Sequence, residues 1–312
     1  MKLLLQFPEG LKQFALAHAK RLEAEGNEVF VSATPNFGAC DLAIEEAKSI
    51  GAEKLIHFGH AEFTKVDFPV EYIFYTIDAS LEGLEPSLPE LAKFNTIGLV
   101  TTIQHIHQIE VVKKFFEDHG KTVIIGKPYG FAKHSGQILG CDIGSAASLD
   151  RKVECFVYFG GGLFHPLGAV YSTTKPFLAI DPFIKKHLWL DDYRVMHKKR
   201  ERGKIMRSID AKKFGILVST KNGQTNMNLA KMLKKRVEMA GCDAAILVAN
   251  TFDFDYLNNM MEFDAFVNTA CPRLTTDDNE RLRKPLLSAN NLIELLTLRA
   301  SAQTANVEKA QA

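Results

Sequence analysis

Three times in succession the chain runs through the same phrase: a short apolar, β-branched run, a longer run of helical period, then a second short apolar run. Strand-like and helix-like periods in that order are the pattern of a βαβ unit. Such a unit builds a parallel sheet, because the helix carries the chain back to the end at which the next strand must start. The first phrase predicts a strand at 3–7, a helix at 11–25 and a strand at 28–33. Leu11, Phe14, Ala15 and Leu22 lie on one face of that helix, which suits burial against a sheet. The second phrase predicts a strand at 96–101, a helix at 104–119 and a strand at 123–126. The third predicts 215–219, 225–240 and 244–248 in the same roles. Two further apolar runs follow each phrase, at 55–58 and 72–75, at 155–159 and 177–180, and at 265–268 and 285–287. The expected fold is therefore α/β: three homologous small domains, each a parallel sheet flanked by helices, around a central site. The expected domains are 1–92, 93–186 and 187–312, with joints near 89–93 and within 185–213.

Composition narrows what such a chain does. Lys plus Arg number 38 against 37 Asp plus Glu, so a broad basic face for nucleic acid is not expected. No apolar run reaches the roughly 20 residues of a membrane helix, and the leucines at 3–5 are too few for a signal-peptide core. Five cysteines, an odd number, argue against a disulfide framework and for a cytoplasmic protein. The basic run HKKRERGKIMR at 197–207 reads as a solvated linker helix or a docking surface for an acidic partner. From Ser301 onward the Ala-, Gln- and Thr-rich end reads as a frayed tail.

In parallel sheets ligands sit at the carboxyl ends of the strands, so those loops carry the chemistry. Cys40, Cys141 and Cys271 all fall in such loops, one in each repeat. Cys155 lies within the apolar run ECFVYF and Cys242 just after Gly241, both in the manner of structural cysteines. The three loop cysteines are 101 and 130 residues apart, which matches no zinc finger or ribbon, and no C-x-x-C pair is present. Soft thiolates, one from each repeat, suit an iron–sulfur cluster with one iron left open. His57 and His60, His105 and His107, His134 and His165 are the competing donors for a zinc or general-base site. Asp277 and Asp278 read either as paired carboxylates or as a helix N-cap.

FGACD, QHIHQ, GQILGCD, FGGGLFHPLG, STKNGQ and ACPRLTTDD, in this order, resemble the archaeal diphthamide synthase family from FPEGL to KPLLS. The resemblance implies a radical transferase that uses S-adenosylmethionine, with a [4Fe-4S] cluster on Cys40, Cys141 and Cys271. It implies cleavage of the bond to the methionine γ-carbon. The 3-amino-3-carboxypropyl group then passes to carbon 2 of a histidine imidazole in translation elongation factor 2, and methylthioadenosine is released. It further implies a homodimer, an open cleft for the protein substrate and a separate electron donor that the sequence does not name. Gln137, Gln224, Arg273 and His165 are the candidate contacts to S-adenosylmethionine. Phe37 departs from the family, which often has Tyr there; an aromatic body is expected to keep the packing. Two other readings stand beside this one: a quinolinate synthase-like dehydratase of similar architecture, and a non-catalytic binding or scaffolding protein.

Overall fold

The structure is a computed structural model and describes residues 1–276 and 281–311, with side chains described as far as Ala302. Two compact units divide the chain, Met1–Arg194 and Val195–Ala312, and the border falls within the helix Asp191–Arg207.

The first unit contains two sheets. β1 (Lys2–Gln6), β2 (Glu28–Val31), β3 (Lys54–Phe58) and β4 (Val70–Ile73) stand in the order β2-β1-β3-β4. β5 (Thr96–Thr101), β6 (Thr122–Ile125), β7 (Cys155–Phe159), β8 (Phe177–Asp181) and β9 (Lys186–Trp189) stand in the order β6-β5-β7-β8-β9. The second unit holds β10 (Lys213–Ser219), β11 (Asp243–Ala249), β12 (Ala265–Asn268) and β13 (Leu286–Ser288), ordered β11-β10-β12-β13. Among the described residues every strand pairing is parallel except that of β8 with β9. In each sheet the opening strand has the second strand on one side and the third on the other. That reversal is the topological switch point at which ligands bind in open α/β sheets.

Helices cover both faces, which is why the central strands lack polar alternation. β7 is buried at every position, with Cys155, Val157 and Phe159 in one apolar cluster and Phe156 and Tyr158 in the other. One packing device repeats in two sheets. Gly98 of β5 faces Phe156 of β7, and Gly215 of β10 faces Phe266 of β12; a Cβ on either glycine would lie 2.7 Å from the ring. In the first sheet the same register is filled by Leu4 opposite Leu55.

Three expectations need correction. The predicted helices at 11–25 and 104–119 each open with six residues of 3₁₀ helix, Glu9–Phe14 and Ile103–Gln108, and become α-helical only at Ala15 and Ile109. In a 3₁₀ turn residues three apart eclipse one another. Pro8 and Leu11 thereby both reach the backbone at Gly59, and His105 and Gln108 both reach the segment 77–79. The joint expected at 185–213 contains β9, an antiparallel edge strand with too few residues to show its alternation in sequence. The end of the chain is the helix Ala289–Gln311 rather than a frayed tail; alanine and glutamine are good helix formers.

Candidate functional site

In the first unit, β1 ends in Gln6, which is 2% exposed. Its Nε2 donates to the Asp41 carbonyl at 2.8 Å and its Oε1 accepts from the Ala43 N–H at 3.3 Å. Asn36 grips the same loop from its other end. Its Nδ2 donates to the carbonyls of Asp41 (2.7 Å) and Gly38 (3.2 Å), and its Oδ1 accepts from the Gly38 N–H at 3.2 Å. Cys40, half-buried, sits inside this doubly held loop. Gly38 adopts φ +139°, and a Cβ there would lie 3.8 Å from Cys40 Sγ and 3.9 Å from His60 Nε2. Phe37 is 59% exposed, and the buried amides of Gln6 and Asn36 hold the backbone of the loop that follows it.

His57, at the end of β3, is wholly buried. Its Nδ1 lies 2.9 Å from Gln6 Oε1, and its Nε2 lies 3.0 Å from His60 Nδ1. Burial, and then the neighbouring His60, push His57 down to about 3, and burial pushes His60 down to about 4. Both imidazoles are neutral at neutral pH.

Cys141 is exposed, on the long loop after β6. Asp142 beside it accepts from the N–H groups of Phe131 (2.6 Å), Ala132 (2.9 Å) and Gly144 (3.0 Å), which folds the segment 131–132 back over the cysteine loop. Gln137 is 2% exposed and its Oε1 accepts from the N–H groups of Lys133 (2.9 Å) and His134 (3.1 Å). That oxygen holds the loop in shape. His165 is half-buried in the first turn of the helix Phe164–Ser172.

In the second unit, β12 ends in Asn268, which is 6% exposed. Its Nδ2 donates to the Cys271 carbonyl at 2.7 Å and its Oδ1 accepts from the Ala270 N–H at 2.9 Å. Cys271, half-buried, thus follows the third strand of its sheet, whereas Cys40 and Cys141 follow the second strands of theirs. Arg273, 8% exposed, opens the short helix Arg273–Thr276. Lys204, from the basic run expected to be solvated, is 5% exposed and donates to the Thr275 carbonyl of that helix at 2.6 Å and to Glu201. Gln224 is half-buried on the turn after β10, its N–H bonded to the Lys221 carbonyl at 3.0 Å. On the same turn Lys221 is 6% exposed and donates to Asn250 Oδ1 at 3.2 Å.

The remaining candidates separate by surroundings. Cys155 is fully buried, and burial pushes its thiol up to about 12, so it stays protonated at neutral pH. Cys242 lies 3.5 Å from Arg299 Nη1, whose guanidinium also donates to the carbonyls of Ser208, Ile209 and Ala211. His105 bonds the Ile77 carbonyl, His107 bonds Asp78 and Gln108 bonds both the N–H and the carbonyl of Ala79, so QHIHQ pins one segment in place. Asp277 and Asp278 lie outside the described residues.

Within each unit, no group of three or more His, Cys, Asp or Glu among the described residues gathers into a metal-holding set. The bond between His57 and His60 occupies His57 Nε2 and His60 Nδ1. Cys40, Cys141 and Cys271 are loop thiols with some exposure, as is Cys242, which meets the Arg299 guanidinium. Sequence reasoning passed over Gln6, Asn36, Asp142 and Asn268, whose only signal was a turn-forming or amide residue within a few positions of a loop cysteine or at the end of a strand.

The chain matches the family model of the diphthamide synthesis proteins over residues 7–305. It belongs to this family. The 2-(3-amino-3-carboxypropyl)histidine synthase of Pyrococcus horikoshii is 38% identical over 302 residues, covering 96% of this chain and 86% of the relative. The human 2-(3-amino-3-carboxypropyl)histidine synthase subunit 1 is 29% identical; the match covers 92% of this chain and 66% of that longer one. The crystal structure of Dph2 from Pyrococcus horikoshii with a 4Fe-4S cluster superposes with a TM-score of 0.88 at 36% identity, covering 96% of this chain and 86% of that chain. The diphthamide synthesis family is one of transferases, and the α/β fold with three predominantly parallel sheets agrees with its solved member.

Proposed function

We propose that this chain moves the 3-amino-3-carboxypropyl group of S-adenosylmethionine onto carbon 2 of a histidine imidazole in translation elongation factor 2. In this reading Cys40, Cys141 and Cys271 hold a 4Fe-4S cluster. What carries it is the family match over residues 7–305, which includes a solved relative bearing such a cluster. The three loop thiols support it by their accessibility, in contrast to the sealed Cys155. When bound, the cluster supplies one electron to the sulfonium, and the bond to the methionine γ-carbon is the one that breaks.

The task of the chain's own residues is to position. Asn36, Asp142 and Asn268 set the three cysteine loops. The buried guanidinium of Arg273 suits the methionine carboxylate, a planar fork meeting a planar acceptor. Gln224 and His165 are the further candidate contacts, and Gln137 acts one step removed, through the loop it shapes. The same reading makes the working form a cytoplasmic homodimer fed by a separate electron donor, with a protein rather than nucleic acid or membrane as its partner. Among the described residues no helix is long and apolar enough to cross a membrane. The three sheets support reading the chain as homologous domains at 1–92, 93–186 and 187–312.

The test is anaerobic reconstitution with iron and sulfide, then reductant, S-adenosylmethionine labelled in its aminocarboxypropyl part, and elongation factor 2. Methylthioadenosine and labelled elongation factor are the expected products. A reconstituted protein with full iron content that forms neither would overturn the reading. Alanine at Cys40, Cys141 or Cys271 is expected to abolish iron binding, and alanine at Cys155 or Cys242 to leave it intact.

A further inference from the structure

The pair of His57, wholly buried, and His60, half-buried, ends at the Cys40 loop. Its hydrogen bonds have a single consistent direction. Gln6 is oriented by two backbone groups: its Nε2 faces the Asp41 carbonyl and its Oε1 faces the Ala43 N–H. The oxygen therefore points at His57, so His57 Nδ1 carries the proton and donates at 2.9 Å. A neutral imidazole has one N–H, so His57 Nε2 is an acceptor. His60 Nδ1, 3.0 Å away, must then donate to it. The His60 ring also donates to the Phe58 carbonyl, a bond that falls to the protonated Nδ1, so Nε2 is the acceptor at the end of the chain. It lies 3.9 Å from the point where a Gly38 side chain would begin, and Cys40 Sγ lies 3.8 Å from that same point. Among the described residues, no other atom outside the neighbours of Gly38 lies within 4 Å of that point.

We infer that His60 Nε2 accepts a hydrogen bond from an N–H donor of the reacting molecules at the Cys40 loop, with Gln6 and His57 as the positioning residues that fix its direction. This rests on the proposed function, in which Cys40 is a cluster ligand. Two donors of the required chemistry meet at such a site: the ammonium of S-adenosylmethionine and the imidazole N–H of the target histidine. An acceptor whose tautomer is fixed two residues away takes either without reorganising.

The experiment compares wild type, His60→Leu and His60→Gln after anaerobic reconstitution. It measures iron content, the Kd of S-adenosylmethionine and the KM for elongation factor 2 at saturating S-adenosylmethionine. His60→Leu is expected to keep its iron and weaken one of the two constants by about tenfold or more. A change in the Kd names the ammonium as the donor, and a change in the KM alone names the imidazole. His60→Gln, whose amide oxygen accepts, is expected to recover most of the loss, which a purely structural role would not produce. Should the leucine variant not fold, His60→Phe keeps a ring against His57 and carries the same comparison. Both constants within twofold of wild type in the apolar variant overturn the inference. Full iron content in Cys40→Ala sinks the functional reading instead, so the two failures are distinguishable.

Discussion

Gly168 offers a test in which two known effects of one substitution oppose each other. It lies within the helix Phe164–Ser172, where alanine in place of glycine ordinarily gains about 1 kcal/mol. A Cβ at this position would fall 2.5 Å from the Gly140 carbonyl oxygen and 3.2 Å from its carbon. Both atoms are backbone, so no flexible side chain can yield and the chain itself must move. Overpacking of this kind costs about 1–3 kcal/mol, and a 2.5 Å contact belongs in the upper part of that range. Gly168→Ala is therefore expected to lose about 1–2 kcal/mol net, a fall in Tm of roughly 3–6 °C for a unit of this size. Gly203, exposed in the helix Asp191–Arg207 with nothing within 4 Å of its missing Cβ, is the matched control. There the helix term acts alone, and Gly203→Ala is expected to gain about 0.5–1 kcal/mol. Thermal denaturation of both variants decides. A Gly168→Ala protein that melts at or above wild type refutes the reasoning. The peptide struck by the new methyl group immediately precedes Cys141, so this variant, unlike Gly203→Ala, is also expected to hold less iron after reconstitution.

The depressed His57 sets a pH dependence. Its folded pKa of about 3 lies below the ordinary 6.5, so the unfolded chain binds the proton more readily. Its contribution is fully present above pH 6.5 and is lost at up to about 1.4 kcal/mol per unit as pH falls from there towards 3. Urea titrations at pH 7, 6 and 5 are expected to show that slope together with a second one from His60, itself lowered to about 4, and His57→Gln to make the total shallower; coincident slopes count against the account. Lys204→Met leaves the Thr275 carbonyl and the partly buried Glu201 without their cation, and a loss of about 1–3 kcal/mol is expected in chemical denaturation. Alkylation of the metal-free folded protein at pH 8, followed by peptide mass spectrometry, is expected to label Cys141 readily and Cys155 only after unfolding.

The fold was legible where burial on both faces makes a strand apolar throughout. Residues 96–101, 155–159 and 265–268 are strands with the bounds their apolar runs suggest. The 3₁₀ openings were not legible, because their cause lies elsewhere: Pro8 and Leu11 settle on Gly59, and His105 and Gln108 settle on the segment 77–79. Position relative to strand ends also told the sealed Cys155 from the accessible loop cysteines. The braces were invisible for a related reason. Asn36 and Asn268 look like any turn asparagine, and the partner that orients His57 is Gln6, 51 residues away in sequence. Gln137 shows the converse: an amide in a distinctive motif whose carbonyl oxygen serves the backbone.

The side chains that brace the cysteine loops carry a consequence for metal loading. Asn36, Asp142 and Asn268 bond the loops' own backbone, so loop order is supplied by the polypeptide on folding and does not wait for iron. The entropy of ordering is spent once, during synthesis. Under the proposed function, a cluster lost to oxygen would leave behind shaped thiol loops rather than unravelled chain. Repair becomes a matter of resupplying iron and sulfide to a folded protein, with no refolding step in between.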